Sequence, residues 1–423
     1  MQPNSAKARI RTVDALRGTA LLGIMLAHFI YWYTAGPLPD TVTSSFHDAG
    51  STIADVFTSL FVTGKFFSFF SFLFGLSFFL QMRGLEDQPK TFLKRYSWRL
   101  AILMVIGLAH HALWMGDILS IYVPLGFVLM AMRKLNNKWV LTLGILLALN
   151  VPGRIITGIQ NIADSAAGMQ DMMGSFAKQA AAYDAVIRNG SWLDIFTYNL
   201  QHLTTKFQFQ IDSGRLFITL GFFLLGMYTG RQRWFERGAE VKPLFKKIVK
   251  RSALIMGTGL FIGIGMFAAD VIFKLGWQQN PAAGYFFMLV YDVFNAAMVV
   301  FFISGLTLLM MRPRSQKVLF QLAPVGKMAL TSYITQTVFG LLLFYGIGLG
   351  LYGKTSPGLN TLIAIAFFFV QVGFSTWWLQ RFNYGPLEWL WRSGTLLKWQ
   401  PFVKRKSKAI IEPMQPTPLP EAV

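Results

Sequence analysis

Asp14, Arg17 and His28 lie together in the apolar part of RIRTVDALRGTALLGIMLAHF (9–29), after Arg9 and Arg11 at its start. Ionisable groups inside a hydrophobic segment are costly unless they are paired or line a cavity. At 100° per residue, Arg17 and His28 differ by about 20° of azimuth, and Asp14 and His28 by about 40°. All three therefore lie on one helix face, with Leu21 and Met25 between them. The rise from Arg17 to His28 is about 16 Å. A cation and a carboxylate near one surface, with an imidazole deeper along the same face, suit anion binding followed by proton transfer. The alternative is plainer: Asp14 and Arg17 anchor the helix end and His28 satisfies a buried hydrogen bond.

A second group lies in VIGLAHHALWMGDIL, which carries His110, His111, Trp114 and Asp117. His110 and Asp117 are seven apart and share a face if the helix continues through Gly116. A carboxylate beside an imidazole fixes its tautomer and raises its basicity, as general-base chemistry requires. No metal site is expected: the chain has no cysteine and no H-E-x-x-H, and adjacent histidines diverge on a helix. Lys65, in VTGKFFSFFSFLFG, either snorkels to the interface or pairs with a buried acid or substrate. Gln336, Asp292 and Asn295 read as interhelical hydrogen-bonding residues. The glycines of GTGLFIGIG (257–265) lie inside a hydrophobic span with no preceding strand, so they predict close helix packing rather than a nucleotide loop. There is no GxSxG elbow, P-loop or DxD motif.

The elements that must hold these residues are membrane spans. The chain has 423 residues, 54% of them hydrophobic and 14% charged, with a formal net charge of +20. A soluble protein carries about 25% charge, and a disordered chain needs low hydrophobicity. With no cysteine, disulfide frameworks, thiolate metal sites and cysteine nucleophiles are excluded. Ten stretches approach the roughly 20 apolar residues that a helical span requires: 13–33, 54–80, 100–115, 118–132, 139–158, 214–230, 252–273, 285–311, 327–349 and 359–380. Only Met115–Gly116–Asp117 separates the third from the fourth, which predicts a tight hairpin. The first is read as a span and not a cleaved signal, because Asp14 and Arg17 begin it and YTAGPLPD is a poor cleavage site.

With ten spans and the N-terminus inside, 31 of the 39 basic residues fall on cytoplasmic segments or their helix ends. The charge is thus a topology signal, split among juxtamembrane stretches, and predicts no nucleic-acid partner. The expected fold is all-α: a polytopic transmembrane bundle over 1–400, N-in and C-in, with membrane lipids around it. Residues 160–213 read as an outer loop of amphipathic helices, either a cap or a lid. The tail 404–423 (KRKSKAIIEPMQPTPLPEAV from Lys404) reads as disordered and cytoplasmic. No repeat of fixed period is visible.

The blocks RIRTVDALRGTALLGIMLAHF (9–29), GKFFSFFSFLFGLSFFLQ (64–81), GLAHHALWMGDILSIYVPLG (107–126), PVGKMALTSYITQT (324–337) and FNYGPLEWLWRS (382–393) resemble the YeiB-like family of bacterial inner-membrane proteins, in order and over nearly the whole chain. That family is similar to a superfamily of transmembrane acyltransferases that includes heparan-α-glucosaminide N-acetyltransferase and bacterial O-acetyltransferases. The resemblance implies an inner-membrane enzyme that takes an acyl group from cytoplasmic acyl-CoA. It would deliver the group to an acceptor, commonly a sugar, on the outer side, using an intramembrane histidine. Arg17 and His28 match the superfamily's pattern of a basic residue, ten positions and a histidine. YeiB-like sequences often have asparagine where His28 stands, so this chain departs from them toward the catalytic pattern. The R-x-x-R motif of the O-acetyltransferases is not reproduced, since Arg95 and Arg99 are four apart.

The expected mechanism follows. CoA phosphates dock near Arg17, Lys94, Arg95 and Arg99, with Asp14 at the same surface. The pantetheine arm runs outward along the first helix. His28 acts as general base or accepts the acyl group transiently, and Lys65, His110 and Asp117 orient the imidazole or the acceptor. The competing expectation is a transporter or exporter of a small molecule or lipid-linked substrate, since polar cavities serve translocation as well. A non-catalytic lipid-binding protein is the third. A homo-oligomer is compatible with all three.

Overall fold

In bilayer hydrocarbon every backbone N–H and C=O must be satisfied within the segment, which leaves long Leu/Phe/Met runs only the helix. The computed structural model describes residues 10–163, 166–277 and 280–404; all of the tail beyond Lys404 lies outside them. Among the described residues every regular element is a helix, apart from one isolated bridge, Phe382 to Val403.

The first half contains α1 (Arg11–Phe29), the short α2 (Asp40–Thr43), α3 (Ala49–Phe61), α4 (Phe66–Arg83), α5 (Pro89–Leu113), α6 (Leu119–Ala131), α7 (Asn137–Ala148) and α8 (Val151–Ala163). Then come α9 (Ala166–Asn189), α10 (Trp192–Gln201), α11 (Leu203–Asp212) and α12 (Arg215–Arg231). The remainder is α13 (Lys242–Phe273), α14 (Pro281–Met310), α15 (Pro313–Leu319), α16 (Ala323–Lys327), α17 (Ala329–Phe344), α18 (Pro357–Arg381) and α19 (Pro386–Leu396). Local chemistry sets many of the starts. Proline occupies the first turn of α5, α14, α18 and α19. Asn136 caps α7, and Ser191 with Asp194 forms a capping box on α10.

Each predicted span is helical over most of its length. Four helical segments are long and apolar enough to cross a membrane: Ala49–Arg83, Gly238–Phe273, Ala282–Met310 and Pro357–Arg381. Two bent pairs raise the number to six if each counts as one span: Asn137–Ala148 with Val151–Gln160, at 43°, and Leu203–Asp212 with Arg215–Arg231, at 71°. The predicted loop 160–213 is helical where described, and it packs on the bundle: the Gly346 amide donates to the Ile187 carbonyl at 2.8 Å.

α1 runs through the centre. A Cβ on Gly18 would lie 2.2 Å from the Leu322 carbonyl oxygen, and one on Gly326 would lie 1.8 Å from that of Asp14. α1 and α16 therefore touch backbone to backbone, as small residues in membrane bundles allow. The glycines of 257–265 meet the packing expectation only in part. Gly257 and Gly265 face no atom within 4 Å, and only Gly259 and Gly263 approach α14, through Phe294 and Phe287. α13 presents Phe261, Phe267 and Phe273 outward from the bundle, a face that suits hydrocarbon.

Candidate functional site

A cavity of about 1170 Å³ enters the bundle along α1. Ile10, Asp14, Arg17, Leu21 and Ile24, spaced three or four apart, form one wall. From Ile10 to Ile24 the wall rises about 21 Å. At the mouth stand Arg83, Glu86, Asp87, Arg233 and Glu236, and at the inner end Leu103, Ile118, Leu119 and Tyr333. All five sequence blocks singled out above contribute to its lining.

The cations of this cavity differ in what holds them. Arg17 donates to Asp14 at 2.7 Å and to the Ser77 hydroxyl at 2.6 Å. The Arg99 guanidinium stacks 3.6 Å from the centre of the Trp391 ring, and Arg392 lies 5.3 Å over Tyr384. Neither makes an ion pair among the described residues, so both leave donors for an anion. Lys94 and Arg95 are exposed and stand off the cavity wall. Lys94 points about 140° away from Arg99 around the helix, and Arg95 lies about 6 Å nearer the helix start. Of the basic cluster on α5, only Arg99 reaches the expected donor site.

Beyond the inner end lies a buried polar network. The predicted His110–Asp117 contact exists, at 2.8 Å from Nδ1 to the carboxylate. It forms by a different route, because α5 stops at Leu113 and Trp114 is extended. Gly116 then lets the Trp114 ring fold over the turn, where a Cβ would sit 2.2 Å from the indole. The Asp117 carboxylate also accepts the Leu119 and Ser120 amides at 3.0 and 2.8 Å, so it caps the start of α6. His110 Nε2 meets the Thr337 hydroxyl at 2.8 Å, and Thr337 meets Tyr33 OH at 2.9 Å. With a carboxylate as acceptor, His110 donates through Nδ1, and a neutral ring then accepts from Thr337 through Nε2.

Lys206, from the segment 160–213, completes the network from α11. Its ammonium donates to Ser120 Oγ at 2.8 Å and to His111 Nδ1 at 3.2 Å, and lies 3.6 Å from Asp117. His111 Nε2 donates to the Asn199 carbonyl at 2.8 Å, and with Nδ1 accepting from Lys206 the ring is the Nε2–H tautomer. Lys65 does not join this group. It is fully buried at the start of α4, donates to the Ser59 carbonyl at 2.8 Å and faces Tyr291 and Phe294.

His28 sits one turn beyond Ile24, past the inner end of the cavity wall. It is half-buried, and its imidazole ring makes no hydrogen bond among the described residues. Its ring stands edge-on to Trp114 with centroids 4.6 Å apart, and 5.5 Å from Tyr33. Those two aromatics are themselves fixed: Trp114 Nε1 donates to the Tyr33 carbonyl at 2.8 Å, and Tyr33 OH reaches Thr337. Trp32 and Tyr33 adopt φ of 53° and 56°, a left-handed pair in bulky residues that only a well-determined surrounding retains. His110 and Asp117 thus lie in the layer behind the aromatics that hold His28.

Comparison with known proteins adds a lineage. Uncharacterized protein YxaH of Bacillus subtilis is 32% identical over 433 aligned residues, covering 96% of this chain and 98% of that protein. The profile of a protein family of unknown function, DUF418, matches residues 229–398. The chain belongs to the YeiB-like DUF418 family. YeiB of Escherichia coli is itself 25% identical, over 94% of this chain and 99% of its own length. An uncharacterized 39.9 kDa protein of Bacillus acidopullulyticus is 24% identical over 96% and 99%. No solved structure matches the chain. The DUF418 match spans the α16–α17 and α19 segments, which supply Lys327, Tyr333, Glu388 and Arg392 to the cavity.

Within this DUF418 protein the last two blocks meet at a contact that composition and spacing did not single out. Glu388 of α19 accepts the Leu330 and Thr331 amides at 2.7 and 3.0 Å and the Thr331 hydroxyl at 2.6 Å. It caps the start of α17, the helix that carries Tyr333 and Thr337 to the network. Its signal in sequence is the single acid of FNYGPLEWLWRS.

Proposed function

We propose that this protein is a multi-pass inner-membrane acyltransferase. It takes an acyl group from cytoplasmic acyl-CoA and delivers it to an acceptor, such as a sugar, on the outer side. One observation carries the reading: an anion-ready cavity climbs the face of α1 that bears Asp14 and Arg17, and its wall stops one turn short of an imidazole with no hydrogen-bond partner among the described residues. The 31-of-39 distribution of basic residues supports ten crossings with both termini and the cavity mouth cytoplasmic.

The donor's phosphates meet Arg99, Arg392 and Arg17. Its acyl-bearing arm lies along Leu21 and Ile24, and its thioester reaches the level of His28. As the acceptor hydroxyl adds to the thioester carbonyl, His28 takes the hydroxyl proton. The C–S bond then breaks, the thiolate leaves with that proton, and the products are an ester and free CoA. His110, Asp117 and Thr337 are positioning residues, acting through Tyr33 and Trp114. Titrating the purified protein with acyl-CoA tests the reading: saturable binding is expected, and its absence rules the reading out.

A second reading, a proton-coupled transporter or exporter, draws on the buried Asp117–His110–Lys206–His111 cluster, since intramembrane ionisable chains also mark translocation paths. Substrate uptake into vesicles without any acyl donor would favour it.

A further inference from the structure

At the end of α12 opposite the cavity mouth is a separate pocket of about 130 Å³, lined by residues of α4, α8, α12 and α14. Its charges do not balance. Asp292 is committed to Arg154, at 2.5 and 3.1 Å, and receives Asn150 at 3.3 Å. Arg215 also lines the pocket, between the Phe67 and Phe209 rings at 5.4 and 5.2 Å, and it makes no ion pair among the described residues. Lys65 adds a second uncompensated cation, fully buried and 5.4 Å from the ring of Tyr291, another lining residue. The Asn295 side chain also lines the pocket.

The backbone contributes in the same sense. Arg215 opens α12 after Gly214, whose left-handed φ of 71° leaves the helix start with no side-chain cap. First-turn amides without a cap are donors, and the helix dipole makes that end positive. Leaving two cations uncompensated inside apolar surroundings is costly, and an anion would offset that cost. The pocket volume admits a tetrahedral anion and little more. Tyr291 and its α14 neighbours Phe287 and Met288 are exposed on the face that would meet lipid, so a lipid headgroup has a lateral route in.

We propose that this pocket is a phosphate-binding site, with Arg215 as its principal ligand and the first turn of α12 beside it. The phosphate is carried by an anionic membrane lipid or arrives as the free ion. Arg154 and Asp292 hold the wall as a neutral pair, and Lys65 supplies long-range attraction.

The test uses the full-length protein in neutral-detergent micelles, titrated with phosphatidylglycerol and followed by native mass spectrometry. Diacylglycerol serves as the phosphate-free control and inorganic phosphate as the competitor. Arg215→Gln removes the charge, whereas Asn295→Leu keeps every charge and fills the pocket. Both variants should weaken phosphatidylglycerol binding roughly tenfold or more, and diacylglycerol should not bind. Competition by inorganic phosphate would assign the site to the free ion, and its failure to compete would assign it to the lipid. Wild-type affinity for phosphatidylglycerol in both folded variants, or equal binding of diacylglycerol, would overturn the proposal. If Arg215→Gln does not fold, Asn295→Leu decides alone.

Discussion

His28 stands edge-on to Trp114, with ring centroids 4.6 Å apart and planes at 84°. An imidazole held by ring contacts keeps both nitrogens available, unlike one held by hydrogen bonds. His110 is the contrast: Nδ1 faces Asp117 and Nε2 faces Thr337, and the ring is buried. Of the two, only His28 has ring nitrogens without a hydrogen-bond partner among the described residues, as the proposed role of general base requires. The plainer sequence reading, a histidine satisfying a core hydrogen bond, fits His110 better.

The Asp117 carboxylate is shared between His110 and Lys206. Asp117→Asn should cost about 3–5 kcal/mol, because it leaves a buried ammonium uncompensated. Lys206→Met in the same chain should recover part of that loss, with a coupling of about 0.5–3 kcal/mol. Thermal unfolding of the two single variants and the double variant checks this, and strictly additive losses would refute the pairing.

Arg99 and Lys94 lie on one helix and are predicted to behave differently. Arg99→Ala should weaken acyl-CoA binding by about 1.5–3 kcal/mol, the range for a charged hydrogen bond. Lys94→Ala, on an exposed face, should change it by no more than about 0.5 kcal/mol. Equal losses measured by titration calorimetry would move the donor site to the outer surface of α5.

Burial pushes the Glu388 carboxyl above its ordinary value of 4.5, against the pull of the donors on Leu330 and Thr331. The folded state therefore holds this proton more tightly than the unfolded state. Its stabilising contribution is complete below the ordinary value and is lost as pH rises through the folded value. The melting temperature of the wild type should thus fall more between acid and neutral pH than that of Glu388→Gln. Parallel pH profiles would show that Glu388 does not titrate in this way.

Much of the fold was legible because its signals are local. Apolar runs of span length and Met115–Gly116–Asp117 between α5 and α6 each need only a short window of sequence. The shared face of Asp14 and Arg17 was legible for the same reason, and the two residues pair at 2.7 Å. The His110–Asp117 contact was anticipated through a continuous helix and is made instead by a turn, since a seven-residue spacing is compatible with both. The remainder depends on packing between distant elements. Thr337, Lys206 and Glu388 reach the site from helices far away in sequence, and nothing local to them records which helix they meet. Lys65 shows the converse: it lies near other candidates in sequence order, yet its neighbours are Tyr291 and Phe294.

The asymmetry of basic residues predicts that the C-terminus is cytoplasmic and residues 160–213 are outside. A fused reporter that fluoresces only in the cytoplasm should be bright at the C-terminus. Protease should cut 160–213 in right-side-out vesicles and spare it in inside-out ones, and the reverse pattern would invert the topology.

The most direct measurement is CoA release by purified protein in proteoliposomes supplied with acyl-CoA and acceptor, comparing wild type with His28→Ala. Loss of a general base should lower the rate by about 10²–10⁴, with acyl-CoA binding and melting temperature nearly unchanged because Arg17, Arg99 and the aromatic support remain. A full rate per folded molecule in His28→Ala would contradict the catalytic role of His28.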